Sequence, residues 1–327
     1  MKHLDSYWDD RNIVSIVLWP ISWVFRLLAW IRRCAYQVGL FQQHKLPVPV
    51  IVVGNISVGG TGKTPLVIWL AGYLKELGYK PGIVARGYGA EIGKIPRRVD
   101  RESSAGEVGD EPLLIFRRTS CPMYVAPNRV AAGHALLNNS DCDVIISDDG
   151  MQHYALGRDI EIAVVDGKRR FGNGWCLPAG PLREPPSRLS SVDFVMVNGQ
   201  AKLNEASMQI VIGEAVNLSN PELTRNLDGF SGEQVHALAG IGNPQRFFRL
   251  LKDHGLQLIE HAFPDHHRFE KRDITPNDEL AVFMTEKDAV KCRHFAQPRH
   301  WYLPIDVSVD SGFSNRLAEL LRGLKRG

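Results

Sequence analysis

Cysteine is scarce and unpatterned: there are five, an odd number, and none stands in a C-x-x-C spacing. That argues against a disulfide framework or a thiolate zinc site and for a reducing compartment. Charge of one sign is missing as well, since the formal net charge is only +3. A chain so close to neutral makes no general case for a nucleic-acid partner. A small-residue cleavage site is lacking after the N-terminal apolar run, which disfavours a signal peptide. What is plentiful is apolar content, 44% over 327 residues, enough for packed cores and of a length that suits two domains.

Residues 48–70, V-P-V-I-V-V-G-N-I-S-V-G-G-T-G-K-T-P-L-V-I-W-L, organise the rest. A β-branched run over 50–53 ends in a glycine-rich turn, and a helix-compatible apolar segment follows from Pro65. Strand, glycine-rich loop and helix in that order are the context of a phosphate-binding loop. The candidate cradle is Ser57, Val58, Gly59, Gly60, Thr61, Gly62, Lys63 and Thr64. Glycines let backbone N–H groups converge on a polyphosphate. Lys63 can reach its terminal phosphates, the Thr64 hydroxyl can ligate Mg²⁺, and the helix N-terminus adds positive potential. Ser57 stands where the first glycine of G-x-x-x-x-G-K-[ST] belongs, but a bland surface turn would have little use for Lys63.

Before this loop, a charged head leads into an apolar run over 13–31 that is interrupted by Pro20 and Arg26. Trp8, Trp19, Trp23 and Trp30 put four of the seven tryptophans in or beside it. One reading is a helix in or on a membrane, with tryptophans at the headgroup level and Arg32 and Arg33 at its cytoplasmic end. The other is a core or partner-packing helix. The run is near the ~20 residues that span a bilayer, yet Arg26 makes a shallow interfacial seat as plausible as a span.

After the loop, a helix is expected over 66–77 with Gly78 as its C-cap, and a strand over 80–85 that empties into Arg86-Gly87-Tyr88-Gly89. In a parallel sheet, residues past a strand's carboxyl end line the ligand crevice, so Arg86 is either a phosphate contact or a solvated turn residue. Asp110, at a loop-to-helix junction, reads on residues alone as a helix cap. The strand over 143–147 runs into Asp148 and Asp149, and paired carboxylates at the end of a Val-Ile-Ile run are costly to bury without a cation. At least one is expected to serve Mg²⁺; spacing leaves open which. The Gly- and Pro-rich stretch 171–186, whose charges are Arg183 and Glu184, is expected to be an ordered loop over the site or else a brace between domains.

Further strands are expected over 160–165, 193–197, 209–218, 235–239, 256–262, 281–284 and 301–307, with helices over 245–254 and 314–324. Gly240-Ile241-Gly242-Asn243 lacks the third glycine of a dinucleotide fingerprint, and Asp265, His266 and His267 lack the further ligands of a zinc site. Lys287, at a strand end, is expected to face phosphates. The fold class is thus α/β: a P-loop NTPase-like parallel-sheet domain over 46–215, a smaller α/β domain over 216–327, and a membrane-associated N-terminal arm over 1–45.

Seven motifs taken together resemble the tetraacyldisaccharide 4′-kinases, which phosphorylate a lipid A precursor. They are G-N-I-S-V-G-G-T-G-K-T-P (54–65), A-R-G-Y-G (85–89), V-G-D-E-P (108–112), D-D-G-M-Q-H (148–153), L-P-A-G-P-L-R-E-P (177–185), F-P-D-H-H-R-F (263–269) and T-E-K-D-A-V-K (285–291). The family has its own variant of the phosphate loop, which accounts for Ser57, and its members often carry Phe where Met151 stands.

The resemblance implies transfer of the γ-phosphoryl of ATP, with Mg²⁺, to the 4′-hydroxyl of tetraacyldisaccharide 1-phosphate, forming lipid IVA at the cytoplasmic face of the bacterial inner membrane. It makes Asp110 and His266 a catalytic dyad, with His267 the second choice, in place of the cap reading of Asp110. It implies substrate contacts at Arg86, Gln152, His153, Arg183 and Glu184, a membrane surface as partner, and no obligate protein partner. Since Asp110 and His266 fall in different lobes, the lobes are expected to close over substrate. A nucleotide switch of the partitioning type would carry Lys where Val58 stands, and a scaffold with a vestigial loop leaves the three aspartates unexplained.

Overall fold

Strands that are apolar on both faces need helices on both faces, and short β-loop-α repeats supply them as right-handed crossovers. The computed structural model describes residues 7–90 and 92–324, so that 1–6, part of the charged head, lie outside it. β1 (Val50–Gly54), β2 (Pro81–Ala85) and β5 (Val144–Asp148) are buried along their whole length. Around them stand β3 (Arg97–Val99), β4 (Met123–Val125), β6 (Ile160–Asp166), β7 (Phe194–Asn198), β8 (Ala206–Ile212) and β15 (Ile305–Val309). Among the described residues they form one nine-stranded sheet in the order β15-β8-β7-β6-β1-β5-β2-β4-β3.

β1 lies between β5 and β6, in parallel with both, and Val53 sits opposite Asp148. The loops after β1, β2 and β5 therefore open at one carboxyl edge. Alternation divides the core. Ile51 and Val53 pack with Leu66, Leu70 and Leu74 of α2 (Lys63–Glu76) and with Leu113 and Ile115 of α4 (Asp110–Thr119). Val50 and Val52 pack on the other face with Val130 and Leu136 of α5 (Arg129–Asn138).

The smaller sheet has the order β10-β9-β14-β13-β11-β12. Its strands are β9 (Ala215–Asn217), β10 (Thr224–Arg225), β11 (Gln234–Ala239), β12 (Gln257–Ala262), β13 (Val282–Thr285) and β14 (His300–Leu303). Phe230 packs edge-on against Phe283 and Trp301, and α6 (Pro244–Asp253) adds Phe248 and Leu251.

Two expected strands are each broken in two. Residues 209–218 divide at Gly213 and Glu214 into the end of β8 and β9, which belong to different sheets. Residues 301–307 divide at Pro304, which has no N–H to give a ladder, into β14 and β15. The breaks lie side by side, with Gly213 N donating to the Pro304 carbonyl at 3.1 Å. The chain thus leaves the larger sheet at one break and returns at the other. β15 pairs antiparallel with β8, and α9 (Ser311–Leu324) packs Phe313, Leu317 and Leu321 into the larger core. Residues 305–324, expected with the smaller lobe, belong structurally to the larger sheet.

α1 (Ile13–Gln37) outruns the expected apolar run and continues through Pro20. Asn12 and Ser15 form a reciprocal capping box at its start. Its buried residues are Ser15, Ser22 and Ala35, while Val17, Trp23, Leu28 and Trp30 are exposed, so the core-helix alternative does not describe it. Trp8 differs from the other arm tryptophans: it is buried, and its indole N–H donates to the Pro178 carbonyl at 3.0 Å.

Candidate active site

The phosphate-loop geometry follows from its glycines. Gly62, at φ 97°, is the N-cap residue of α2, and an added Cβ there would come within 2.8 Å of Met208 Cε and 3.0 Å of Asn198 Nδ2. Lys63 and Thr64 open the helix, whose first N–H groups have no intrahelical acceptor and point toward the carboxyl edge. Thr61 is held from both sides, its hydroxyl by Asn55 and its carbonyl by Asn198. The first part of the expected cradle is already occupied. Ser57 is bridged to Leu182, and the Val58 N–H donates to the Pro181 carbonyl at 2.8 Å. Val58 therefore presents no N–H to a phosphate, and residues 59–64 are left to form the cradle.

The stretch 171–186 that occupies Val58 is ordered and lies along the phosphate loop within the same lobe, not between lobes. Arg183 N donates to the Ile56 carbonyl at 2.7 Å, and the Cys176 carbonyl accepts from the Ser22 hydroxyl of α1 at 2.7 Å. Glu184, expected at the substrate, is 5% exposed and held by Gln152 at 2.8 Å, by the Tyr154 hydroxyl and by Arg188. Its carboxylate is thus engaged by side chains of its own lobe. Gln152 is half-buried and spans Asn55 and Glu184.

The two aspartates after β5 have different surroundings. Asp149, at φ 47°, lies 3.4 Å from Lys63 Nζ and 3.0 Å from Arg183 Nη1. Burial acts to raise its pKa, but those two cations overcome it and hold the group at about 2. Asp148 is 3% exposed and its Oδ1 is buried without a hydrogen-bond partner. Burial, then the charges of Glu111 and Asp149, push its pKa up to about 7. A buried carboxylate oxygen left unpaired is the donor that a cation would satisfy. Among the described residues no group of three or more His, Cys, Asp or Glu has the arrangement of a metal site.

Beside Asp149 a cleft of about 260 Å³ is lined by Arg32, Arg86, Arg129, Arg183, Gln152 and His153. Burial first, then the surrounding guanidinium groups, lowers the His153 pKa to about 4, so the ring stays neutral at neutral pH. Arg129 is 6% exposed, and burial lowers its pKa to about 10. Sequence reasoning missed Arg129 and assigned Arg32 elsewhere. Arg129 follows β4 at the same edge that singled out Arg86, so the same rule reaches it. Arg32, expected at the cytoplasmic end of the arm, lines this cleft from the last turns of α1.

Asp110 and His266 meet across the lobes. Asp110 is the first residue of α4, with Gly109 as N-cap at φ 93°, and His266 Nδ1 lies 3.1 Å from both of its carboxylate oxygens. Burial raises the Asp110 pKa, but the His266 hydrogen bond and the charge of Lys287 outweigh it, so the group ends below its usual value. His266 is raised, chiefly by its hydrogen bond to Asp110. Its backbone is left-handed at φ 61°, a conformation that non-glycine residues adopt at a cost of about 1–3 kcal/mol and that clusters at functional sites. His267 turns away to Asp273 at 3.1 Å and stacks on Phe263. Lys287, expected to face phosphates, stands among carboxylates beside this pair, 3.1 Å from Glu111 and 3.3 Å from Asp265.

A family model described as tetraacyldisaccharide-1-P 4′-kinase matches residues 14–322. The chain belongs to this family. A tetraacyldisaccharide 4′-kinase from Nitrosococcus oceani is 51% identical over 97% of this chain and 93% of its own length. One from Methylobacillus flagellatus is 47% identical over 99% of this chain and 98% of its own. Among solved structures, the "apo" form of LpxK from Aquifex aeolicus in complex with ATP is similar with a TM-score of 0.81 and 27% identity, covering 94% of this chain and all of that one. Membership makes the chain a kinase that phosphorylates the tetraacyldisaccharide 1-phosphate precursor of lipid A.

Proposed function

We propose that residues 59–64 hold the phosphates of ATP while Asp110 and His266 accept the proton of the acceptor's 4′-hydroxyl. That oxygen bonds to the γ-phosphorus, the bond from the γ-phosphorus to the β,γ-bridging oxygen breaks, and ADP and lipid IVA result. The observation that carries this reading is the Asp110–His266 contact at 3.1 Å, joined to the phosphate-loop side by Glu111, whose charge acts on Asp148. A carboxylate oriented by an imidazole keeps its geometry and adjusts its basicity, which makes it a better base than either group alone.

Thr64, Asp148 and Asp149 would hold Mg²⁺, with the unpaired Asp148 Oδ1 the best candidate for a direct contact and Asp149 tied up with Lys63 and Arg183. The ion, when bound, neutralises charge on the phosphate oxygens. Arg183 would meet the same phosphates, and Arg86 and Arg129, with the uncharged Gln152 and His153 beside them, would form a seat for the phosphorylated sugar.

The exposed apolar face of α1 supports seating at the cytoplasmic face of the inner membrane, where a tetraacylated substrate resides. The helix is long and apolar enough to cross a bilayer, and 11% of its most apolar window is buried. Because α1 lies along the larger lobe through Ser15, Ser22 and Ala35, an interfacial position fits it better than a span. The test is ATP turnover with and without a phosphoglycolipid acceptor. Product carrying one added phosphate supports the kinase reading; hydrolysis indifferent to the acceptor sinks it.

A further inference from the structure

The dyad has a third neighbour with no assigned part in the reaction. Lys287 Nζ lies 3.7 Å from Asp110 Oδ2, 3.1 Å from Glu111 and 3.3 Å from Asp265, with its side chain 18% exposed. Asp110 and Glu111 belong to the larger lobe and Asp265 to the smaller, so one ammonium joins carboxylates from both. Its own backbone is firmly placed. Lys287 is the second residue of α8 (Glu286–Cys292), and Asp288, fully buried, accepts from the Thr285 hydroxyl at 2.7 Å and from Gly240 N at 2.9 Å. Lys291 pairs with the same aspartate at 2.8 Å.

We propose that Lys287 is a positioning residue of the dyad, fixing the Asp110 carboxylate against His266 across the lobe interface. Two donors and one ion pair then define that carboxylate: Glu111 N on Oδ1 at 3.0 Å, His266 Nδ1 across both oxygens, and the Lys287 ammonium 3.7 Å from Oδ2. Without the ammonium, Asp110 would stay buried, with His266 and Lys291 as the other cations acting on its charge. A carboxylate in that position protonates more readily and is free to turn away from the imidazole. Lys287 itself is half-buried, which disfavours its charge, yet the three carboxylates keep it protonated.

The inference rests on the dyad reading, and the test separates the two. Steady-state transfer is measured on the full chain for Lys287→Met, Lys287→Gln and Lys287→Arg, alone and with Asp110→Asn. The expected result for Met and Gln is a fall in kcat of about 10–100-fold, with the KM for ATP within about twofold of wild type. The acid limb of the kcat/KM profile moves to higher pH, because loss of the cation raises the Asp110 pKa, and Arg restores most of the rate. In the Asp110→Asn background Lys287→Met adds no further loss. An unmoved acid limb, or full additivity with Asp110→Asn, overturns the inference. If Asp110→Asn alone retains wild-type kcat, the dyad reading fails instead. Should Lys287→Met not fold, the same measurements on Lys287→Gln decide.

Discussion

At the scale of single residues, the site is divided between side chains that neighbours hold fast and a few left with capacity to act. Asp110→Ala is expected to lower kcat by ~10²–10⁴-fold while leaving ATP affinity nearly intact, checked by single-turnover transfer and nucleotide titration. Glu184→Gln behaves differently. Because Glu184 serves Gln152, Tyr154 and Arg188, its loss should appear as ~1–3 kcal/mol of stability in denaturant melts, with little change in the KM for acceptor. A large KM effect with unchanged stability would return Glu184 to the substrate. The phosphate loop is legible in the sequence because its parts are contiguous, and Lys63 alone nearly identifies it. Asp110 and His266 stand 156 residues apart, so local reading makes Asp110 a cap and only family resemblance pairs it. Lys287 is legible as a strand-end lysine, but its carboxylate partners Glu111 and Asp265 come from distant segments and appear only once the lobes are in space.

At the scale of elements, parallel strands read well because burial on both faces leaves an unbroken apolar run. Strands that change sheets read badly, since hydropathy runs straight through the change. Pro304 was the visible sign in one case, and Gly213 in the other. The helix α1 shows the opposite pattern: its apolar residues face out, where a globular helix would turn them in. Removal of residues 1–37 should abolish co-sedimentation with anionic phospholipid vesicles; retention at the full-chain level would place the membrane contact elsewhere. Leu70, fully buried beneath β1, gives a control of another kind. Leu70→Ala is expected to cost about 2–5 kcal/mol in urea melts, with vesicle binding preserved.

At the scale of the whole molecule, two lobes share two adjacent strand crossings and a charged seam. Arg118 of α4 pairs with Glu286 of α8 at 2.9 Å, Arg117 donates to the Val290 carbonyl, and the dyad completes the contact. Closing was the motion expected from sequence, yet Asp110 and His266 already touch here, so opening is the motion to seek. The dyad gives that motion a pH dependence. Asp110 has a lowered pKa, so its contribution to the lobe contact is present above its unfolded value and is lost as pH falls through the folded one. His266 has a raised pKa, so its contribution is present below ~6.5 and is lost as pH rises through its folded value. Small-angle scattering should therefore show the lobes separating as pH climbs past the folded value of His266, and His266→Ala should remove that alkaline limb. A lobe separation in wild type that ignores pH would detach the dyad from the interface.

The short stretch that accepts from Trp8 and Ser22 at the carbonyls of residues 178 and 176, and meets Ile56 and Val58 through residues 183 and 181, joins the N-terminal arm to the nucleotide loop without passing through the sheet. A displacement of α1 can thus reach the bend of residues 56–58 directly. A preparation trimmed of its first helix to gain solubility is then not the same catalyst set free in water. It is one whose nucleotide loop has lost the outer support of its neighbour, and its rate on a short-chain acceptor is not a measure of the intact enzyme's chemistry.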